Sequence, residues 1–158
     1  MTDSALPVRD EATVAALVGV DERIDFVTRY TREDISRFAT LTLDNNPVHH
    51  DRGAAQRAGL PDVIASGQHT SALMSGLAAT YFSRRDDGVA RDMLCLNFNF
   101  AYREPIFAEH EVALEWIVVE TEWSASLGGM IARLAGKASV AGAPAVIARG
   151  TVLVRRAS

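Results

Sequence analysis

The sequence is short of the residues that would make several explanations easy. It has one cysteine, Cys95, among 158 residues, so no intramolecular disulfide or thiolate metal cluster can form, and a reducing, cytoplasmic compartment is the expectation. It has one lysine, Lys137; the other basic residues are arginines scattered along a chain of net charge −4. No basic stripe marks a nucleic-acid surface. No window approaches the roughly 18 consecutive apolar residues that suggest a membrane span. MTDSALPVRDEATVAALVGVDERID has neither the basic segment nor the unbroken apolar stretch of a signal peptide. Repeats and low-complexity tracts are also missing.

What is present is apolar material, 48%, sufficient for one core in a chain of single-domain size. The expectation is one domain over residues 1–158, with 1–21 a loosely packed N-terminal extension whose ATVAALVG run suits a helix or packing on a neighbour. Ile24, Phe26 and Thr28 alternate with charged or small residues and predict a short half-buried strand. Thr31 then opens a helix over TREDISRFATLTL, with Asp34 at the third helical position and Ile35, Phe38 and Ala39 on one face. Pro47 lacks an amide donor and pushes Asn46 out of the α region, so a loop follows. Asp51 caps a short helix RGAAQRA that Gly59 ends.

Ser66 is placed to cap a longer helix, GQHTSALMSGLAATYF, in which Leu73, Met74, Leu77, Ala78 and Tyr81 form an apolar stripe. Its many small residues suit a buried helix against a sheet. Past a charged loop, Arg84 to Arg91, the period changes. LCLNFNFAY, EVALEWIVVETEW, GMIARLAGKASVA and AVIARGTVLVRR read as strands, separated by turn residues at Gly128-Gly129 and at Ala141 to Pro144. One strand, then helices, then four strands gives an α+β domain, an antiparallel β-sheet wrapped on one long central helix.

DNNPVHHD, residues 44–51, is compatible with a turn, a metal site or a catalytic pair. Metal binding is disfavoured because the side chains of adjacent histidines generally diverge and no HxxxH spacing is present. Asp44 and His49, five residues apart, can instead bring a carboxylate and an imidazole onto one water. Imidazole exchanges protons near neutral pH, which suits adding water to a carbon skeleton or removing it. Ser66-Gly67 is the second element. At a helix N-terminus the backbone amides are unpaired and the dipole is positive, so the Gly67 amide is placed to stabilise charge on a thioester oxygen.

Asp44-x-Asn46-Pro47-x-His49, followed by Ser66-Gly67 and a helix carrying Ser75-Gly76-Leu77, resembles the MaoC-like (R)-specific enoyl-CoA hydratases, or hydratase 2. The resemblance runs from about Thr31 to the C-terminus and includes Tyr102 to Phe107 around a proline strand break. It implies a hot-dog fold and a hydro-lyase of fatty acid metabolism that adds water reversibly to a trans-2-enoyl thioester, giving the (R)-3-hydroxyacyl thioester. Asp44 and His49 would hold the water and the Gly67 amide the thioester oxygen. Asn46 would position the loop and Ser75 would line the acyl pocket; Ser66 is a further substrate-binding candidate. Gln68 and His69, polar where the family's helix is often apolar, either border the substrate and select a polar or short acyl group or point to solvent. No metal or organic cofactor is implied beyond coenzyme A as part of the substrate.

Implied partners are an acyl-CoA or acyl-carrier-protein thioester and a second copy of the chain, as a homodimer or higher homo-oligomer; nucleic acid and membrane are not expected. The sequence departs from the family in having Ser66 where many members have histidine, and Glu109-His110 where they have Gly-Asp. Two other readings stay open. One is an acyl-CoA thioesterase on the same fold, though the long helix carries no acidic residue. The other is a non-catalytic acyl-thioester-binding subunit.

Overall fold

A computed structural model describes residues 17–83 and 86–157. Strand β1 (Arg23–Arg29) leads into helix α1 (Arg32–Leu41), a 3-10 turn (Pro47–His49), helix α2 (Arg52–Arg57) and the long helix α3 (Gly67–Ser83). Four strands follow: β2 (Arg91–Tyr102), β3 (Glu111–Ser124), β4 (Gly129–Val140) and β5 (Ala143–Arg156). They form one antiparallel sheet in the order β1-β3-β4-β5-β2, the α+β arrangement expected of a hot-dog fold. Two strands begin earlier than the sequence suggests, at Arg91 and Ala143. The second is a consequence of a two-residue turn: Ala141 and Gly142 both take positive φ, which brings Pro144 into register with Ser139 at a bulge.

The local signals for α1 and α2 hold. Thr31 and Asp34 form a reciprocal capping box, and such caps typically contribute about 1 kcal/mol. Asp51 accepts from the Ala54 amide. Gly59, at φ +82, closes α2 by donating to Gln56 O while Leu60 donates to Ala55 O. This Schellman end favours glycine because a left-handed residue with a Cβ is strained.

Strands β3, β4 and β5 turn alternate residues inward: Val112, Leu114, Trp116 and Val118 on β3, Ala132 and Leu134 on β4, Val146, Ala148, Val152 and Val154 on β5. Trp116 fixes the centre. Its indole N–H donates to Met74 O on α3 at 2.9 Å, and it lies across from Gly136, where any Cβ would overlap the ring. Helix α3 buries Thr70, Met74, Ala78 and Phe82. The expected stripe is therefore displaced: Leu73, Leu77 and Tyr81 flank this row and are only partly buried. The sheet covers the face that carries Thr70, Met74, Ala78 and Phe82, one of two neighbouring faces that helical periodicity alone leaves open.

Two further expectations change. Phe26 is 42% exposed, because β1 is an edge strand paired only with β3. Leu17 and Val18, placed in a loose extension by the sequence, are each 2% exposed and belong to the core. The buried Arg91 guanidinium donates to Leu17 O at 3.1 Å and holds the Asp87 carboxylate through two 2.7 Å bonds. Residues 1–16, most of ATVAALVG, and the Arg84-Arg85 pair lie outside the described residues.

Candidate active site

Asp44 owes its place to the way α1 ends. The helix closes with Leu43 N–H on Thr40 O at 3.2 Å and Asp44 N–H on Ala39 O at 2.8 Å, a Schellman arrangement with leucine in the left-handed position, φ +61. That conformation costs a branched residue about 1–2 kcal/mol. Asp44 then turns the chain: one carboxylate oxygen accepts from the Asn46 amide at 3.1 Å. Asn46 caps the 3-10 turn, accepting from Val48 at 3.4 Å, and Pro47 opens that turn. His50 bolts the loop to α1. Its Nε2–H donates to Asp44 O at 2.8 Å and its Nδ1 faces Ser36 Oγ at 2.9 Å.

His49 ends the turn and is 6% exposed. Its Nδ1 lies 2.7 Å from Ile64 O. A carbonyl only accepts, so Nδ1 carries the hydrogen and, in the neutral ring, Nε2 presents a lone pair. Nε2 in turn lies 3.3 Å from Asp44 Oδ2. Neutral imidazole and carboxylate are then two acceptors facing each other, and a water that donates one O–H to each satisfies both while its oxygen lone pairs stay free. Ile64 also donates its amide to Val48 O at 3.2 Å. It thus ties the loop to the segment that starts α3 three residues later.

A cavity of about 380 Å³ opens beside His49; Asp44, its partner in the pair, is not among the lining residues. His49, Ser66 and Gly67 line one side, Tyr102 and Arg103 another, and Thr70 and Val146 are its most buried wall. The Gly67 amide has no acceptor among the described residues, as expected for the first residue of a helix. Glycine is required there for space: a Cβ would sit 2.6 Å from Cε1 of Tyr102. The Tyr102 hydroxyl is fixed by Ser71 Oγ at 2.7 Å.

The other expected site residues separate into two groups. Ser66 and Gln68 line the cavity. Ser66 does not cap α3 with its hydroxyl; its carbonyl accepts from His69 N–H at 3.0 Å. Asn46 and Ser75 are not among the lining residues. Ser75 donates to Ser71 O at 2.8 Å, one turn back on its own helix. His69 turns away from the cavity to stack on Phe38, ring centroids 4.4 Å apart, and burial pushes its pKa below the ordinary value of 6.5, partly offset by Asp34. The sequence does not point to Ile64 or Thr70, and to Tyr102 only as an aromatic of the resemblance, since their site contacts join segments far apart in the chain. Among the described residues no group of His, Cys, Asp and Glu is arranged to hold a metal ion.

Solved structures share this architecture. The (R)-hydratase from A. caviae involved in PHA biosynthesis superposes with a TM-score of 0.74 at 24% identity, covering 85% of this chain and 96% of that one. R-hydratase PhaJ1 from Pseudomonas aeruginosa gives 0.76 at 22% identity, with 90% and 85% covered. The HadBC (3R)-hydroxyacyl-ACP dehydratase complex from Mycobacterium tuberculosis gives 0.69 at 15% identity, with 85% and 96% covered. At such identities the likeness establishes the hot-dog fold. No curated protein sequence matches the chain. A family match does exist over residues 18–135, running from the buried Val18 through the Asp44–His49 loop and α3 into β4, and by that match the chain belongs to the MaoC-like domain family.

Proposed function

We propose that the protein is a hydro-lyase that reversibly hydrates a trans-2-enoyl thioester, carried on coenzyme A or acyl carrier protein, to the (R)-3-hydroxyacyl thioester. Membership of the MaoC-like family and the hydratases and dehydratases among its structural relatives support this chemistry in general terms; the (R) configuration rests on the resemblance alone. The observation that carries the reading is the 3.3 Å approach of Asp44 Oδ2 to His49 Nε2, with Nδ1 pinned by Ile64 O. A water donating one O–H to each of these two atoms would keep its lone pairs outward. Water oxygen attacks C3, one member of the pair takes its proton, and a proton is returned to C2. Negative charge gathering on the thioester oxygen is met by the Gly67 amide at the positive end of α3. No cofactor enters these steps.

The thioesterase reading draws no support from the site: α3 has no acidic residue in its first turn, and the carboxylate stands in the loop paired with a histidine. The working unit is a homodimer or higher homo-oligomer. Both β1 and β2 are edge strands, Leu94 and Leu96 on β2 are 45% and 46% exposed, and two relatives, ChsH1-ChsH2 and HadBC, are complexes. A cytoplasmic setting agrees with the exposed, unpaired Cys95.

The test follows the enoyl absorbance of crotonyl-CoA together with free thiol for wild type, Asp44→Ala and His49→Ala. Loss of the band without thiol release, slowed at least about 100-fold in each variant, is expected. Thiol release would identify a thioesterase, and full activity in either variant would remove the pair from the chemistry.

A further inference from the structure

The most buried wall of the cavity carries a hydroxyl, on Thr70, whose one hydrogen-bond partner among the described residues is another hydroxyl. Thr70 is 1% exposed and lines the cavity. Its Oγ1 lies 3.1 Å from the hydroxyl of Tyr30, itself 3% exposed. Two hydroxyls joined by one bond have two hydrogens and use one, so the acceptor keeps a hydrogen to place. If Thr70 donated, the spare hydrogen would sit on Tyr30, which does not line the cavity. The His69 ring packs on Tyr30 at 4.4 Å, yet its buried Nδ1 makes no hydrogen bond. If Tyr30 donates, the spare hydrogen is on Thr70, at the cavity wall. The neighbouring helix hydroxyls Ser71 and Ser75 each donate to the carbonyl four residues back; Thr70 makes no such bond. Because an unmet buried donor costs free energy, the direction Tyr30 to Thr70 to cavity is favoured. Burial also raises the Tyr30 pKa, keeping it a neutral donor.

We infer that the Thr70 hydroxyl is a hydrogen-bond donor at the inner end of the cavity, and that the acyl group accepted there carries an oxygen acceptor beyond C3, a keto or ether oxygen, rather than a plain alkyl tail. This rests on the hydratase reading for the identity of the ligand as an acyl thioester. A plain alkyl chain long enough to reach Thr70 displaces solvent and leaves the O–H unpaired. Of the other buried lining residues, Ile106 and Val146, at 4% and 2% exposure, are apolar, while Ser66 and His49 are polar, so position as well as polarity is selected.

Binding of saturated thioesters tests this apart from turnover, because they cannot be hydrated. Affinities of hexanoyl-CoA and heptanoyl-CoA are compared with those of 5-oxohexanoyl-CoA and 6-oxoheptanoyl-CoA by titration calorimetry. At least one oxo compound is expected to bind roughly ten- to a hundredfold tighter than its alkyl counterpart. The advantage is expected to vanish in Thr70→Val, which keeps the side-chain shape, and to survive in Thr70→Ser. Equal binding of oxo and alkyl chains by wild type overturns the inference without any variant, and an advantage retained in Thr70→Val overturns it as well. Crotonyl-CoA hydration reports separately on the hydratase reading; failure to bind any acyl-CoA would overturn both.

Discussion

Gly67→Ala places a methyl 2.6 Å from the Tyr102 ring, about 1 Å inside an ordinary carbon contact. Either the ring or the helix must move. Helix α3 is locked through Met74, Ala78 and Phe82, all 0% exposed, whereas Tyr102 is 49% exposed and held by its 2.7 Å bond to Ser71. The ring therefore yields. A tyrosine half removed from water buries roughly 100 Å², worth about 2 kcal/mol, and the hydroxyl bond adds about 1 kcal/mol. Gly67→Ala should thus lower the unfolding free energy by about 2–3 kcal/mol, an upper bound given the reference chain. In a Tyr102→Ala background the methyl meets nothing, and the same change should be within about 1 kcal/mol of neutral. Urea denaturation of the wild type, both single variants and the double variant closes the cycle. Additive losses would refute the reasoning, since they would mean that the methyl's obstacle is not the ring. With the amide left in place, Gly67→Ala and Tyr102→Ala should share a raised KM from the lost cavity wall.

Three other changes have signs fixed by the structure. Leu43, 84% exposed at φ +61, should accept glycine with a net gain of about 0.5 kcal/mol, relief of left-handed strain exceeding the added chain entropy; a lower urea midpoint would contradict it. The pKa of His69 is depressed by burial, so the unfolded chain binds the proton first and stability must fall as pH drops through about 6.5. Denaturation midpoints between pH 7 and 5 should decline less in His69→Phe, and parallel curves would show that this ring does not couple. The lowered carboxyl pKa values of Asp34, bonded to Thr31, and of Asp62, paired with Arg32, act in a separate window, below the ordinary carboxyl value of 3.8. Arg91→Met removes the donors to Leu17 O and Asp87 and should cost about 3 kcal/mol or more; a loss under about 1 kcal/mol would mean that the N-terminal segment is held by other contacts.

Much of this protein was legible along the chain because the relevant physics is local. Thr31 and Asp34, Asp51 and Gly59 announce helix ends within one turn, and the period-two strands after Gly88 announce a sheet. Asp44 and His49 could be paired from sequence because they lie five positions apart in one loop. Tertiary structure alone decided the rest. Which hydrogen His49 carries is set by Ile64, fifteen residues on. The wall over Gly67 comes from Tyr102, and the donor at the inner end of the cavity from Tyr30 acting on Thr70, forty residues away. Ser75 is a local case as well: its hydroxyl donates to Ser71 O one turn back, a bond open to a serine at any position inside a helix. Periodicity fixes which residues share a face, while the curvature of a sheet decides which of two neighbouring faces it covers. That choice put Thr70, Met74, Ala78 and Phe82 on the buried face of α3 and left Leu73 and Leu77 at its flank.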